Sequence, residues 1–184
     1  TGGVSAEDVY VTLSRRLHDH AITDALQEYL HGKKVVAIMG GHSLSRADPK
    51  YLAVARLARE GTERGFLMTS GGGPGAMEAT HVGAWFVGRS DADLIEAQKI
   101  LAKAPIYKPK EAWLDTAFEV QARFPRVSTA ESLGIPTWLY GHEPPTSFAT
   151  HIAKYFANSV REAGLLAIAK HGVVFAPGSA GPIQ

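Results

Sequence analysis

Cysteine is absent from this chain of 184 residues. Its absence excludes disulfides, thiolate metal sites and a thiol nucleophile together, and it suits a reducing, cytoplasmic environment. An excess of charge of one sign is missing too. Nineteen Lys and Arg stand against 18 Asp and Glu, a formal net charge of +1, and no run of like charges occurs. Composition therefore offers no electrostatic footprint for nucleic acid or a membrane surface. No apolar run reaches the roughly 18 residues a membrane helix needs, and no signal peptide is visible. The eight histidines lack metal-ligand spacing. His18 and His20 are two apart with no companion carboxylate pattern, so no zinc or other metal site is expected. What remains is 45% hydrophobic and only 20% charged, enough for one domain with a substantial core.

Glycine is where the chain is rich. Ser70-Gly71-Gly72-Gly73-Pro74-Gly75-Ala76-Met77-Glu78 follows a strand-like run, Gly65 to Thr69, and opens into a predicted helix reaching about Trp85. Such a turn lets the backbone approach a ligand closely while the N–H groups of the next helix point at an anion. A second run, Gly172 to Ala176, reads as a strand buried on both faces and leads into Pro177-Gly178-Ser179-Ala180-Gly181. A third, Lys34 to Met39, leads into Gly40-Gly41-His42-Ser43. Ligands of open parallel sheets bind beyond the carboxyl ends of the strands, so these three loops are expected to converge on one phosphate-bearing ligand.

Two nucleotide motifs are nevertheless excluded. A P-loop needs Lys-Ser/Thr after its last glycine, and Gly75 is followed by Ala76 and Met77. No strict G-x-G-x-x-G follows Met39, and no isolated acid ends a following strand to hold a ribose hydroxyl, which favours a mononucleotide over a dinucleotide.

Periodicity organises the rest. Ser5 to Leu30 predicts two helices broken near His20 to Thr23, with Val9, Leu13 and Leu17, then Ile22, Leu26 and Leu30, at helical spacing. Asp48-Pro49 starts a helix, and Pro74 occupies the first turn of the one after the glycine run. Ser90 to Lys103 predicts another, and a short helix lies between Pro105 and Pro125. Ile135 to Tyr140 reads as a strand and Ser147 to about Lys170 as one long helix. The expected fold is α/β: a Rossmann-like, doubly wound, mostly parallel sheet with helices on both faces. Residues 1–32 form an N-terminal helical segment and 33–184 the nucleotide-binding domain. Trp85, Trp113 and Trp138 are open between core and interface.

The pairing of Gly71-Gly72-Gly73-Pro74-Gly75-Ala76-Met77-Glu78 with Pro177-Gly178-Ser179-Ala180-Gly181, separated by a helix bearing Arg161, resembles the LOG family. These are Rossmann-like nucleotide 5′-monophosphate phosphoribohydrolases, often mislabelled lysine decarboxylases. The likeness covers about residues 34–184, with 105–145 as an insertion relative to compact members. It implies a homodimer that cleaves the N-glycosidic bond of a small-molecule nucleotide, AMP or a cytokinin ribotide, to free base and ribose 5-phosphate, with no cofactor. The strand-end reading places Gly40, Gly41 and Ser43 in nucleotide and phosphate binding; together with the likeness it adds Gly71, Gly72, Gly73, Gly75, Met77, Glu78, Pro177, Gly178, Ser179, Ala180 and Gly181, and the likeness implies a catalytic role for Arg161. The second motif departs from the family at Ser179, for glycine, and at Pro182, for threonine. The family's catalytic glutamate would fall on the residue after Gln184, so the natural chain is expected to continue.

Several residues keep two readings. Glu78 is either a ribose contact or a favourable charge at the positive end of its helix. His42 is either a ligand contact or a surface group, His81 is structural, and Arg161 without the resemblance is an exposed helix arginine. One rival function is a carrier that holds a nucleotide or a molybdenum-cofactor-type pterin phosphate without chemistry. Pyridoxal phosphate decarboxylation lacks a suitably placed lysine, and single-stranded DNA binding lacks clustered basic residues.

Overall fold

A computed structural model describes residues 8–138 and 146–176. Among these, five strands form one all-parallel sheet in the order β4-β3-β2-β1-β5. β1 (Lys34–Gly40) lies at its heart, pairing Val36 with Met68 of β2 (Phe66–Ser70) on one side and Gly40 with Ala176 of β5 (Val173–Ala176) on the other. β3 (Ser132–Gly134) and the two-residue β4 (His151–Ile152) extend the β2 edge. Successive strands step away from β1 in one direction, and then β5 returns to its opposite side. The strand order thus reverses between β1 and β5, which is where a doubly wound sheet opens a crevice at its carboxyl edge.

Alternation along β1 sets the two layers. Val35 and Ala37 face one side, where they pack with Leu26 of α1 (Val9–Leu30) and Leu165 of α6 (Asn158–Ile168). Ile38 and Met68 face the other, against α2 (Pro49–Glu63), α3 (Ala76–Trp85), α4 (Asp91–Leu101) and α5 (Lys110–Arg123). Side chains of a strand alternate faces with period two, so a strand apolar on both faces must be covered on both. The Rossmann-like, doubly wound architecture expected from the sequence is the one observed. Among the described residues, no helix is long and apolar enough to cross a membrane.

Local chemistry explains most boundaries. The side chain of Asp48 caps α2 by accepting the Lys50 N–H at 2.8 Å, with Pro49 in the first turn. Ser90 caps α4 in the same way through the Asp93 N–H.

Six expectations are corrected. α1 is one continuous helix of 22 residues, because Val9 to Leu30 holds neither proline nor glycine and the Thr23 hydroxyl bonds back to the Asp19 carbonyl without breaking the ladder. Its first apolar stripe is not core: Val9, Leu13 and Leu17 are exposed. Pro74 lies outside α3, whose cap is Gly75, since a backbone at φ 73° cannot continue a helix. The strand placed at Ile135 to Tyr140 lies earlier, at Ser132–Gly134. Pro136 offers the ladder no N–H, and only a single bridge, Thr137 to Tyr155, follows. The long helix from Ser147 divides into β4 and α6, because Ala153 and Tyr155 donate to the carbonyls of Gly134 and Pro136 and hold this stretch extended. β5, expected to be buried on both faces, is the edge strand of the described sheet, with Phe175 exposed.

Candidate functional site

The carboxyl end of β1 meets the start of α3 almost without space. A side-chain carbon added to Gly40 would stand 2.5 Å from the Ala76 Cβ and 3.0 Å from the Ala176 Cβ. Glycine at this strand end therefore lets the first turn of α3 pack directly against the carboxyl end of β1 beside β5. Gly75, the α3 cap, has φ 73° and ψ −131°, and a Cβ there would fall 2.5 Å from the Gly41 carbonyl oxygen. The Gly71–Gly75 turn and the turn at Gly41 thus touch backbone to backbone.

No side chain caps α3. The N–H groups of its first turn have no partner within the helix, and the helix dipole adds partial positive charge there, which together suit an anion.

Arg161 completes this corner. It is buried in the first turn of α6, and its Nη1 lies 2.9 Å from where a Gly71 side chain would begin. Nε donates to Asn158 Oδ1 at 2.9 Å and Nη2 to Glu162 Oε1 at 3.0 Å, which fixes the plane of the guanidinium. Met77 runs beneath the loop, with its sulfur 2.8 Å from the same Gly71 position and its methyl 2.6 Å from that of Gly73. It acts as a prop under the glycine turn. Gly72 is held from two sides: its N–H donates to Ser70 Oγ, and its carbonyl accepts from Thr146 Oγ1 at 2.7 Å.

The sequence-derived residues sort as follows. Gly40, Gly41, Gly71, Gly72, Gly73, Gly75, Met77 and Arg161 are brought together. Arg161 is buried rather than the exposed helix arginine that the sequence suggests without the resemblance. Ser43 and His42 are solvent-facing, in the turn after β1. Pro177, Gly178, Ser179, Ala180 and Gly181 lie outside the described residues.

Glu78 does not present its carboxylate to a ligand. It is 4% exposed and accepts from Arg46 Nε and Nη2 and from the Tyr51 hydroxyl. Arg46 is itself fully buried. It also donates to the Trp113 carbonyl at 3.0 Å and to Thr116 Oγ1 at 2.8 Å, and its guanidinium carbon lies 4.1 Å from the centre of the Trp113 ring. Burial, and then the Glu78 carboxylate, push the Tyr51 phenol well above its ordinary range. Glu78 therefore anchors α3 to the residues after β1 and to α5. The ribose contact allowed by the sequence is replaced by this structural role, and the favourable charge in the first helical turn is retained.

Sequence reasoning left out Ser70, Arg46 and Thr146. Ser70 had a signal, as a hydroxyl at the strand end directly before the glycines. Arg46 and Thr146 had none, since their partners lie 32 and 74 residues away.

Ser70 also joins a closed polar relay. His81 Nε2 stands 2.8 Å from Ser70 Oγ and its Nδ1 3.0 Å from Ser132 Oγ, with the imidazole fully buried. Desolvation lowers the imidazole pKa to about 3, so His81 is neutral and braces β2, β3 and α3, in keeping with the structural role expected for it. An unfolded chain binds this proton near pH 6.5, and the folded one refuses it until about pH 3. Stability is therefore untouched above pH 6.5 and falls as pH falls below it, by about 1.4 kcal/mol per pH unit from this group. Urea unfolding between pH 7.5 and 5 should show that slope, and His81→Asn should abolish it. An equal slope in the variant would assign the acid sensitivity elsewhere.

The fold defines a Rossmann-like α/β protein whose glycine turns meet at its strand-order reversal. Comparison with known proteins adds no family to that class: no family model matches the chain, and no curated protein matches it.

Proposed function

We propose that the crevice holds a nucleoside 5′-monophosphate and that the protein hydrolyses its N-glycosidic bond to free base and ribose 5-phosphate. The observation that carries this reading is the meeting of the uncapped α3 N-terminus, the Gly71–Gly75 turn and the buried Arg161 guanidinium at one corner of the crevice. The phosphate sits on the N–H groups of α3. The Arg161 guanidinium, with Nη1 turned toward Gly71, meets phosphate or ribose oxygens with its positive charge and so orients the sugar. Cleavage builds positive charge at the anomeric carbon, water adds there, and the base leaves with a proton. A carboxylate must stabilise that charge, and Glu78 is committed to Arg46 and Tyr51.

The same commitment of Glu78 favours a second reading, a carrier that binds the nucleotide without cleaving it. Proton NMR of AMP with the protein separates the two. Free adenine and ribose 5-phosphate are expected for the hydrolase, and broadened AMP signals without product would select the carrier. Sharp, unchanged signals would overturn both. Arg161→Ala removes charge-assisted hydrogen bonds, each of about 1.5–3 kcal/mol, and should weaken AMP binding at least tenfold.

A further inference from the structure

Nothing in α6 caps its own beginning. The cap position is Ala157, which has no side-chain acceptor, yet this helix must hold Arg161 within reach of Gly71. The two residues that lead into the helix are instead held from α1. Asp19, 137 residues earlier in sequence and 4% exposed, accepts the Phe156 N–H on Oδ1 and the Ala157 N–H on Oδ2, both at 2.8 Å.

Neighbouring groups on α1 grip the same stretch. His18 meets the Phe156 ring edge-on at 5.0 Å, Arg15 lies 5.3 Å from the centre of that ring, and Thr23 Oγ1 is 3.3 Å from the Tyr155 hydroxyl. Ala157 is also the residue whose carbonyl accepts the Arg161 N–H, at 3.1 Å. One turn of helix therefore separates the clamp from the guanidinium. Although burial opposes ionisation of Asp19, the two N–H groups and His18 outweigh it and hold the carboxyl below its ordinary range. The clamp is thus a carboxylate receiving charge-assisted bonds.

We infer that Asp19 is a positioning residue for Arg161: through Phe156 and Ala157 it fixes where α6 begins, and so where the guanidinium meets the glycine turn. The inference rests on the nucleotide reading of the crevice only for its binding readout. Polar residues of α1, a helix whose first apolar stripe is exposed, thereby serve the crevice from far along the chain.

The test compares Asp19→Asn, which keeps one acceptor oxygen, with Asp19→Ala, which keeps none. In ¹⁵N-labelled protein the Arg161 Nε–Hε resonance, assigned by its loss in Arg161→Lys, should move in D19N and further in D19A. The amides of α2 and α3 should stay in place. With AMP as probe, affinity should fall about tenfold in D19A, by less in D19N, and no further when D19A is added to Arg161→Ala. An unmoved Arg161 resonance in D19A would overturn the inference. So would an equal loss of AMP affinity whether or not Arg161 is present. If Arg161→Ala alone leaves AMP binding intact, the nucleotide reading fails instead, and the resonance still decides the positioning role. Should D19A not fold, D19N carries both readouts.

Discussion

Arg46→Ala is expected to lower stability by about 3–5 kcal/mol, the cost of breaking a buried ion pair from one side. Among the described residues the Glu78 carboxylate would keep the Tyr51 hydroxyl as its partner, in a buried place. The Trp113 carbonyl would lose the arginine donor while keeping the Thr116 hydroxyl, and Thr116 Oγ1 would lose the arginine donor. For a domain of this size such a loss corresponds to a fall in Tm of roughly 10–15 °C. Calorimetry or urea unfolding measures it. The pair itself is a different quantity from the damage of halving it. Replacing both partners with apolar residues, Arg46→Met with Glu78→Met, removes the stranded charge and should recover most of the loss. A double variant no better than Arg46→Ala would mean that the packing of Arg46 on Trp113, rather than charge compensation, is what the fold needs. Glu78→Gln alone should also be costly, since Arg46 would then be the uncompensated buried ion.

Gly75→Ala should leave most of the fold standing and remove the crevice's capacity for an anion. The backbone there, at φ 73° and ψ −131°, belongs to a region that side-chain-bearing residues rarely enter. Forcing alanine into it costs about 1–3 kcal/mol. The methyl would also press to 2.5 Å from the Gly41 carbonyl oxygen, so either the turn after β1 or the α3 N-terminus must retreat. A shift of about 1 Å in groups that position a ligand is worth on the order of a hundredfold. AMP affinity, followed by isothermal titration, should fall by about that factor while the far-ultraviolet circular dichroism is retained. Undiminished binding would place the phosphate away from α3 and send the search to another loop of the crevice.

These two residues also show how far sequence reasoning reaches. Gly75 was legible because its signal is local: a run of glycines between a strand pattern and a helix pattern has few physical uses. The same holds for β1, β2, α2, α3 and α4, whose cores and caps lie within a few residues of one another. Glu78 was half legible. Its place in the first turn of α3 could be read, but its partner could not, because Arg46 stands in an irregular loop 32 residues earlier and only the packing of α2 and α5 closes the cage around it. Residues 147–170 misled for the complementary reason. Their apolar residues keep helical spacing, yet the open edge of β3 supplies carbonyls to Ala153 and Tyr155, and a paired edge outweighs a weak helical preference.

By itself, then, the sequence determined the class of fold, the parallel arrangement of strands joined by helices, and the glycine turns that bring backbone N–H groups to the strand ends. Local backbone sterics and hydrophobic periodicity act over a few residues, and they write these features directly into the chain. The tertiary structure alone decided which charges are spent in the interior and which remain at the crevice. It withdrew Glu78 into a cage with Arg46, buried Arg161 beside Gly71, and had Asp19 of α1 hold the residues that lead into α6. Such choices depend on desolvation and on partners far apart in sequence, and those exist only once the two layers have closed over the sheet.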